Sequence, residues 1–224
     1  MAYLYILSED KYDDIFYEKC LVKITKKSFN VIPTRTEKGS GISDVRRKLP
    51  PLLKSIRYTG EVEDTFFLVA VDNDRRPVHP DHEVRADWSK LPKKEQGDKC
   101  RFCEIEKVAK SILGENRDDW PIKGAIVVAV EMMETWQLLI CNPDRYKREQ
   151  DLPLFPKRHK QSAKAYYAFS PPAQLKDLVM VEQKRLNIKA SSDFCLYCAE
   201  QLNVEDLKKR SPSFGLLCAQ VADW

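Results

Sequence analysis

At 224 residues, with 32% charged and 43% apolar side chains and only 7 glycines, the chain has the composition of a globular protein with its own core, which excludes low complexity. A net charge of +4 permits a local nucleic-acid-binding patch without demanding one. No apolar run reaches the ~18 residues of a membrane span, and Glu9 and Asp10 arrive too early for a signal peptide, so a cytoplasmic protein is expected.

In chain order, residues 3–8 read as a fully buried strand. Asp13 to Lys26, with Ile15, Phe16, Cys20 and Ile24 at helical spacing, reads as a helix, and Phe29 to Pro33 as a second strand. A polar loop follows, after which Ser43 caps a helix from Asp44 to Ile56 with Val45, Leu49, Leu52, Leu53 and Ile56 on its core face. Pro50 and Pro51 fall inside this helix and predict a break or kink, because interior proline removes a hydrogen bond and clashes. Phe66 to Val71 is a third buried strand. This alternation predicts an α/β fold: a mostly parallel sheet with helices on both faces. A polar, irregular connection from Asp74 to Gly97 leads to a helix over Cys100–Leu113, a fourth strand over Ala125–Val130 and a helix over Met132–Ile140. A basic, proline-broken segment runs to about Pro172, followed by helices over Ala173–Arg185, Asn203–Lys209 and Ser213–Trp224. The expected organisation is an α/β core, 1–150, with a cysteine-containing insertion near 93–113, and a helical C-terminal region, 151–224, packed on that core.

Two of the strands end in acids. Leu4 to Ser8 runs into Glu9, and Phe66 to Val71 stops at Asp72-Asn73-Asp74. Open parallel sheets bind ligands beyond the carboxyl ends of their strands, so neighbouring strands would bring three carboxylates together. At strand geometry the two acids of Asp-x-Asp point the same way. Magnesium takes oxygen ligands and is usually held by one or two carboxylates, waters and substrate phosphate. Glu131 and Glu134, beyond the fourth strand, are further candidates, while Lys11, Arg75 and Arg76 flank the acids and can hold phosphate through charge-assisted bonds. Taken singly, each of these residues also reads as a solvated surface group.

Glu9 with Asp13 four residues on at the mouth of a helix, then a strand–helix unit and a strand ending Asp72-Asn73-Asp74, resembles the Toprim fold. That fold is the metal-binding domain of topoisomerases, primases and OLD-family nucleases. Glu9 matches its strand-end glutamate and Asp72 and Asp74 its Asp-x-Asp pair; where the family carries glycine after the glutamate, this chain has Asp10. Glu134-Thr135-Trp136-Gln137-Leu138 is similar to the Glu-x-Trp-x-Leu junction of small Toprim-like proteins of bacterial defence loci. The ending Arg210-Ser211-Pro212-Ser213-Phe214-Gly215, with the final Trp224, is similar to their C-terminal Ser-Phe helix. The resemblance implies a phosphodiesterase dependent on Mg²⁺ (or Mn²⁺), often working beside an ATPase. On that reading Glu9 is a metal ligand or general base, Asp72 and Asp74 are metal ligands, and Glu134 is a further ligand, with Glu131 in its place if the register slips.

Seven cysteines in a cytoplasmic chain are not expected to form a disulfide framework. Four of them fall in two Cys-x-x-Cys units, Cys100/Cys103 and Cys195/Cys198, the spacing at which one turn supplies two thiolates of a tetrahedral zinc site. Together they would complete a structural Zn²⁺ site pinning the C-terminal region to the central insertion. A redox pair, or buried cysteines acting as small hydrophobes, are the competing readings; Cys20, Cys141 and Cys218 read as core.

Lys157, Arg158, Lys160 and Lys164 follow one another without an acid and lead to Tyr166-Tyr167, which suits phosphate contact and base stacking, or else a solvated basic face over core tyrosines. His79 and His82 read as exposed loop residues, His159 lies within the basic run, and no P-loop is present, so any ATP hydrolysis would belong to a partner. The leading expectation is a Mg²⁺-dependent nuclease acting on DNA or RNA, the effector of an anti-phage system paired with an ATPase. The alternatives are a non-catalytic Toprim-like binding or sensor module that regulates a partner protein, and a small-molecule phosphotransferase or phosphatase using the same acids.

Overall fold

Four strands, β1 (Ala2–Leu7), β2 (Phe29–Pro33), β3 (Thr65–Asp72) and β4 (Lys123–Ala129), pair in parallel in the order β2-β1-β3-β4. The computed structural model describes residues 2–34, 41–59, 64–72, 101–129, 133–152 and 172–224. Parallel neighbours need crossover connections, and the crossovers build the outer layers. Helix α1 (Lys11–Thr25) lies between β1 and β2, α2 (Ile42–Thr59) between β2 and β3, and α3 (Arg101–Leu113) between β3 and β4. After β4 come α4 (Glu134–Cys141), α5 (Pro172–Arg185), α6 (Ser191–Gln201), α7 (Val204–Arg210) and α8 (Pro212–Gln220).

The two-residue period of β3 sorts the apolar side chains into two cores. Phe66, Leu68 and Ala70 join a cluster with Phe16 and Leu21 of α1 and with Trp136, Leu175, Phe194 and Phe214 of the later helices. Phe67, Val69 and Val71 point the other way, into a cluster with Val45, Leu49 and Leu53 of α2 and Phe102, Ile105 and Ala109 of α3. The expected parallel sheet with helices on both faces is therefore present. Helix α3, read above as part of an insertion, belongs to the β3-to-β4 crossover and covers one face beside α2. None of the helices among the described residues is long and apolar enough to cross a membrane.

Two local expectations are corrected. Helix α2 runs unbroken through Pro50 and Pro51. An interior proline costs ~3 kcal/mol, but Val45, Leu49, Leu53 and Ile56 are all buried on either side of the pair, at roughly 1.5–3 kcal/mol each, and that burial outweighs the penalty. Residues 191–201, for which no helix is predicted, form α6, and the spacing of Cys195 and Cys198 places both on its buried side.

The expected four-cysteine zinc site is not formed by the described residues. Cys195 and Cys198 lie in the core beside α1, whereas Cys103, on α3, packs on the opposite face of the sheet. Cys100 lies outside the described residues. Burial pushes the Cys195 thiol up to about 12 and raises the Cys198 thiol as well, which opposes the thiolate state a metal requires. No group of three or more His, Cys, Asp or Glu among the described residues is gathered to hold a metal ion.

Apolar packing and buried carboxylates, Glu149 and Glu182, pin the C-terminal helices instead. Glu149, fully buried, accepts hydrogen bonds from Ser211 Oγ at 3.0 Å, from the Ser213 N–H at 3.1 Å and from Ser213 Oγ. Trp136 Nε1 donates to Ser213 Oγ at 2.8 Å, and the indole packs edge-on against Tyr17 and Phe214. Ser211 also caps α8, Pro212 opens it, and Trp224 stacks on Phe66 at 4.9 Å.

Gly124 of β4 is registered with Phe67 of β3, and a Cβ there would lie 2.1 Å from the Phe67 ring, which is backed by Trp120 at 5.7 Å. Gly124→Ala is expected to lower the unfolding free energy by ~3 kcal/mol or more, at or beyond the usual range for overpacking. Urea denaturation measures it, and adding Phe67→Leu should recover part of the loss; an unchanged midpoint for the single variant would contradict the close approach.

Candidate active site at the carboxyl edge of the sheet

The register of β1 on β3 decides where the acids meet. Leu7 pairs with Val69, so Glu9, two residues on, comes level with the end of β3. The Asp72 N–H donates to Glu9 Oε1 at 3.0 Å, and Asp72 Oδ1 in turn accepts the Met133 N–H at 3.1 Å. Asp10 caps α1: its side chain accepts from the Tyr12 N–H, and its own N–H donates to Asp13 Oδ2 at 3.0 Å. Asp10 has φ −138° and ψ 155°, extended backbone open to any residue, so the turn after Glu9 does not call for glycine. Gly41 does need its freedom: at φ +77° it donates its N–H to the Glu9 carbonyl at 2.8 Å, bringing the start of α2 against the site.

These pieces enclose a cavity of about 480 Å³ lined by Glu9, Asp13, Asp72 and Glu134, with Lys176 and Met180 of α5 and Phe194 and Cys195 of α6 among its walls. Five carboxylates, Glu9 after β1, Asp10 and Asp13 at the start of α1, Asp72 of β3 and Glu134 of α4, therefore share one space. Three are displaced far from ordinary carboxylate behaviour. Burial, then the charge of Glu134, pushes Asp13 up to about 7. Burial, followed by the charges of Glu134, Asp13 and Glu9, raises Asp72 well above the carboxylate range, and the Met133 N–H only partly offsets this. Glu134 is raised by burial against the pull of its own N–H and Lys176. The N-termini of α1 and α4 both face the cavity, and their positive ends temper the repulsion.

Glu9, Asp72 and Glu134 line the same cavity. Asp74, Arg75, Glu131, Lys157, Arg158 and Lys160 lie outside the described residues, as do His79, His82 and His159. Lys11 is exposed, with Nζ 5.0 Å from the centre of the Tyr12 ring, and does not line the cavity. Two contributors escape sequence reasoning. Asp13 is visible as a helix-start acid, but that is also what a capping residue looks like. Arg101, 4% exposed, places Nη1 3.2 Å from Glu9 Oε1; an arginine at the start of an amphipathic helix gives no sign of burial.

The donor set is of the kind a hard divalent cation takes: all oxygen, on separate rigid elements, with like charges that a cation would relieve. As placed, the described carboxylates do not converge on one metal position. Protons near neutrality are also available here, since a carboxyl shifted to about 7 can both accept and donate one at physiological pH. Comparisons with protein-family models, with curated proteins and with solved structures find no match to this chain.

Unfolded aspartate titrates near 3.9 and Asp13 in the fold at about 7. Between those values the folded chain holds a proton that the unfolded chain has released, so stability falls as pH rises through the window. In EDTA, the stability of Asp13→Asn relative to the parent should rise between pH 5 and pH 8 by on the order of 2–3 kcal/mol. Urea unfolding at the two pH values measures this, and an equal difference at both would refute the assignment.

Proposed function

We propose that the protein is a divalent-metal-dependent nuclease with a Toprim-like α/β domain. The observation that carries the reading is the cavity at the carboxyl edge of a parallel β2-β1-β3-β4 sheet, into which Glu9, Asp13, Asp72 and Glu134 are brought from four elements. The aspartate that replaces the family's glycine after Glu9 sits in ordinary extended backbone as a helix cap, so it does not count against the resemblance. Glu9, Asp72 and Glu134, with Asp74 two residues beyond Asp72, are the residues that would hold Mg²⁺ or Mn²⁺. When bound, such an ion polarises phosphate, lowers the pKa of water and steadies a departing oxygen.

The remaining work falls to the chain. Asp13, shifted towards neutrality, takes or returns a proton at the cavity wall. Lys176, on the exposed side of α5, meets a phosphate of the substrate. The helices α1, α4, α5 and α6 wall off the acids from bulk water and strengthen every charge interaction inside. The basic segment carrying Lys157, Arg158 and Lys160 extends the reading to a polymer, DNA or RNA, and an ATPase partner in an anti-phage system would supply the control such an activity needs. A second reading rests on the ion pair of Arg101 with Glu9: a cluster already neutralised from within suits a non-catalytic Toprim-like module that regulates a partner.

The test is cleavage of supercoiled plasmid and of total tRNA by the purified chain in Mg²⁺ or Mn²⁺, beside Glu9→Gln and Asp72→Asn. The nuclease reading expects product from the parent and at least a hundredfold less from each variant. Equal residual activity in all three chains would remove the acids from the chemistry, and silence on both polymers would leave the regulatory module as the better reading.

A further inference from the structure

Glu9 belongs to the cavity side of the sheet edge, yet a cationic partner reaches it from the opposite layer. The other buried side chains of α3, Phe102, Ile105, Ala109 and Leu113, are apolar and pack on the face that α2 covers. Arg101, in the first turn of the same helix, is equally buried and turns its guanidinium to the acid edge, 3.2 Å from Glu9 Oε1. Taking a guanidinium out of water costs several kcal/mol and is tolerated only where a counter-charge repays it. Packing of α3 needs no cation at that position, but the crowded acids do. The same Glu9 oxygen also accepts the Asp72 N–H, so the carboxylate is held towards protein donors, in keeping with the lack of convergence on a metal position among the described residues.

We propose that Arg101 is a built-in counter-cation that competes with a divalent metal ion for Glu9, so that the ion binds only as the Arg101–Glu9 pair opens. The inference rests on the reading of the acid cavity as a cation site. Arg101 acts through Glu9 and touches no reacting atom; it is a positioning residue, and it sets the threshold of metal at which the site fills. Without the arginine the cluster loses a buried positive charge, and a divalent metal ion is a cation able to replace it.

Calorimetric titration of the folded full-length chain with Mn²⁺, in the absence of nucleic acid, tests this. Arg101→Gln should bind Mn²⁺ at least tenfold more tightly than the parent, and the gain should vanish in Glu9→Gln/Arg101→Gln. In EDTA, Arg101→Gln should melt below the parent, and excess Mn²⁺ should close that gap, since a ligand stabilises by RT ln(1 + [L]/Kd) and the variant is expected to have the lower Kd. A merely structural arginine would leave the same deficit with and without Mn²⁺. Equal or weaker Mn²⁺ affinity in Arg101→Gln, binding to neither chain, or an unclosed gap overturns the proposal. The parent alone supplies a further readout should the variant fail to fold: the Arg101 Nε–H signal of ¹⁵N-labelled protein should shift saturably with Mg²⁺, and an unmoved signal is again decisive against it. Neither readout uses cleavage, so the nuclease reading fails by absent product and the competition fails by unchanged metal affinity.

Discussion

Strand β3 is buried on both faces from Thr65 to Val71 and lies between β1 and β4. A strand so placed has no solvent side, and whatever residue ends it is delivered to the middle of the sheet's carboxyl edge with little water around it. Here that residue is Asp72. Because Leu7, the last residue of β1, pairs with Val69, Glu9 arrives close to the same level, and the helices after β1 and β4 each bring a first-turn acid, Asp13 and Glu134. The crowding of like charges thus follows from the parallel topology, not from any one loop. The fold answers it with main-chain donors: Asp72 N–H to Glu9, Met133 N–H to Asp72 and Asp10 N–H to Asp13. These are short-range and fixed, and charge-assisted bonds of this kind are roughly twice as strong as neutral ones.

The C-terminal helices are more than a cover. Helix α4 carries Glu134 at its first position and, two residues on, Trp136, whose indole is locked between Tyr17 and Phe214 and bonded to Ser213. Ser213 is in turn held by the buried Glu149, so a carboxylate on the far side of α4 fixes the angle at which Glu134 meets the cavity. A second buried acid, Glu182, ties α5 to the segment after α4 through Asn142, Arg145 and Tyr146, and Arg185 of the same helix holds it in place. Burial alone would raise Glu182, but its hydrogen bonds, led by Arg185, bring it below the usual carboxylate range. The wall of the cavity formed by α5 is therefore anchored by charge, and the one formed by α4 by a neutral-leaning network, since burial raises Glu149 despite its serine donors.

Periodicity made the sheet legible: the runs around Leu4, Phe67 and Ile126 are apolar on both faces, and only a parallel sheet between helical layers buries both. Glu9 and Asp72 were legible for the same reason, as polar residues that terminate such runs. Helix α6 was not, because a Cys-x-x-Cys spacing serves a metal turn and a helical core face equally well, and one sequence cannot say which thiols will share a layer. Cys103 and Cys195 were separated by the sheet itself. Pro50-Pro51 misled in the opposite direction, since local rules count the lost hydrogen bonds and not the four buried aliphatic side chains that bracket them. Arg101 was hidden because its burial is set by a partner some 90 positions away in the chain, roughly the separation that its ion pair with Glu9 spans.

A buried cluster of acids can be neutralised by protons, by a fixed cation or by a bound one, and the three differ in what they allow. Protons cost nothing in geometry, and the upward shifts at Asp13, Asp72 and Glu134 show the cluster already leaning on them. A proton, however, quenches the oxygen it occupies. A guanidinium leaves the carboxylate charged while holding it in place, which is the relation of Arg101 to Glu9. These two internal means are built into the chain, unlike a structural zinc site, where folding and metal binding are one event. The consequence is a cavity whose acids are brought together by the fold itself and whose charge is moderated by protons and by a guanidinium.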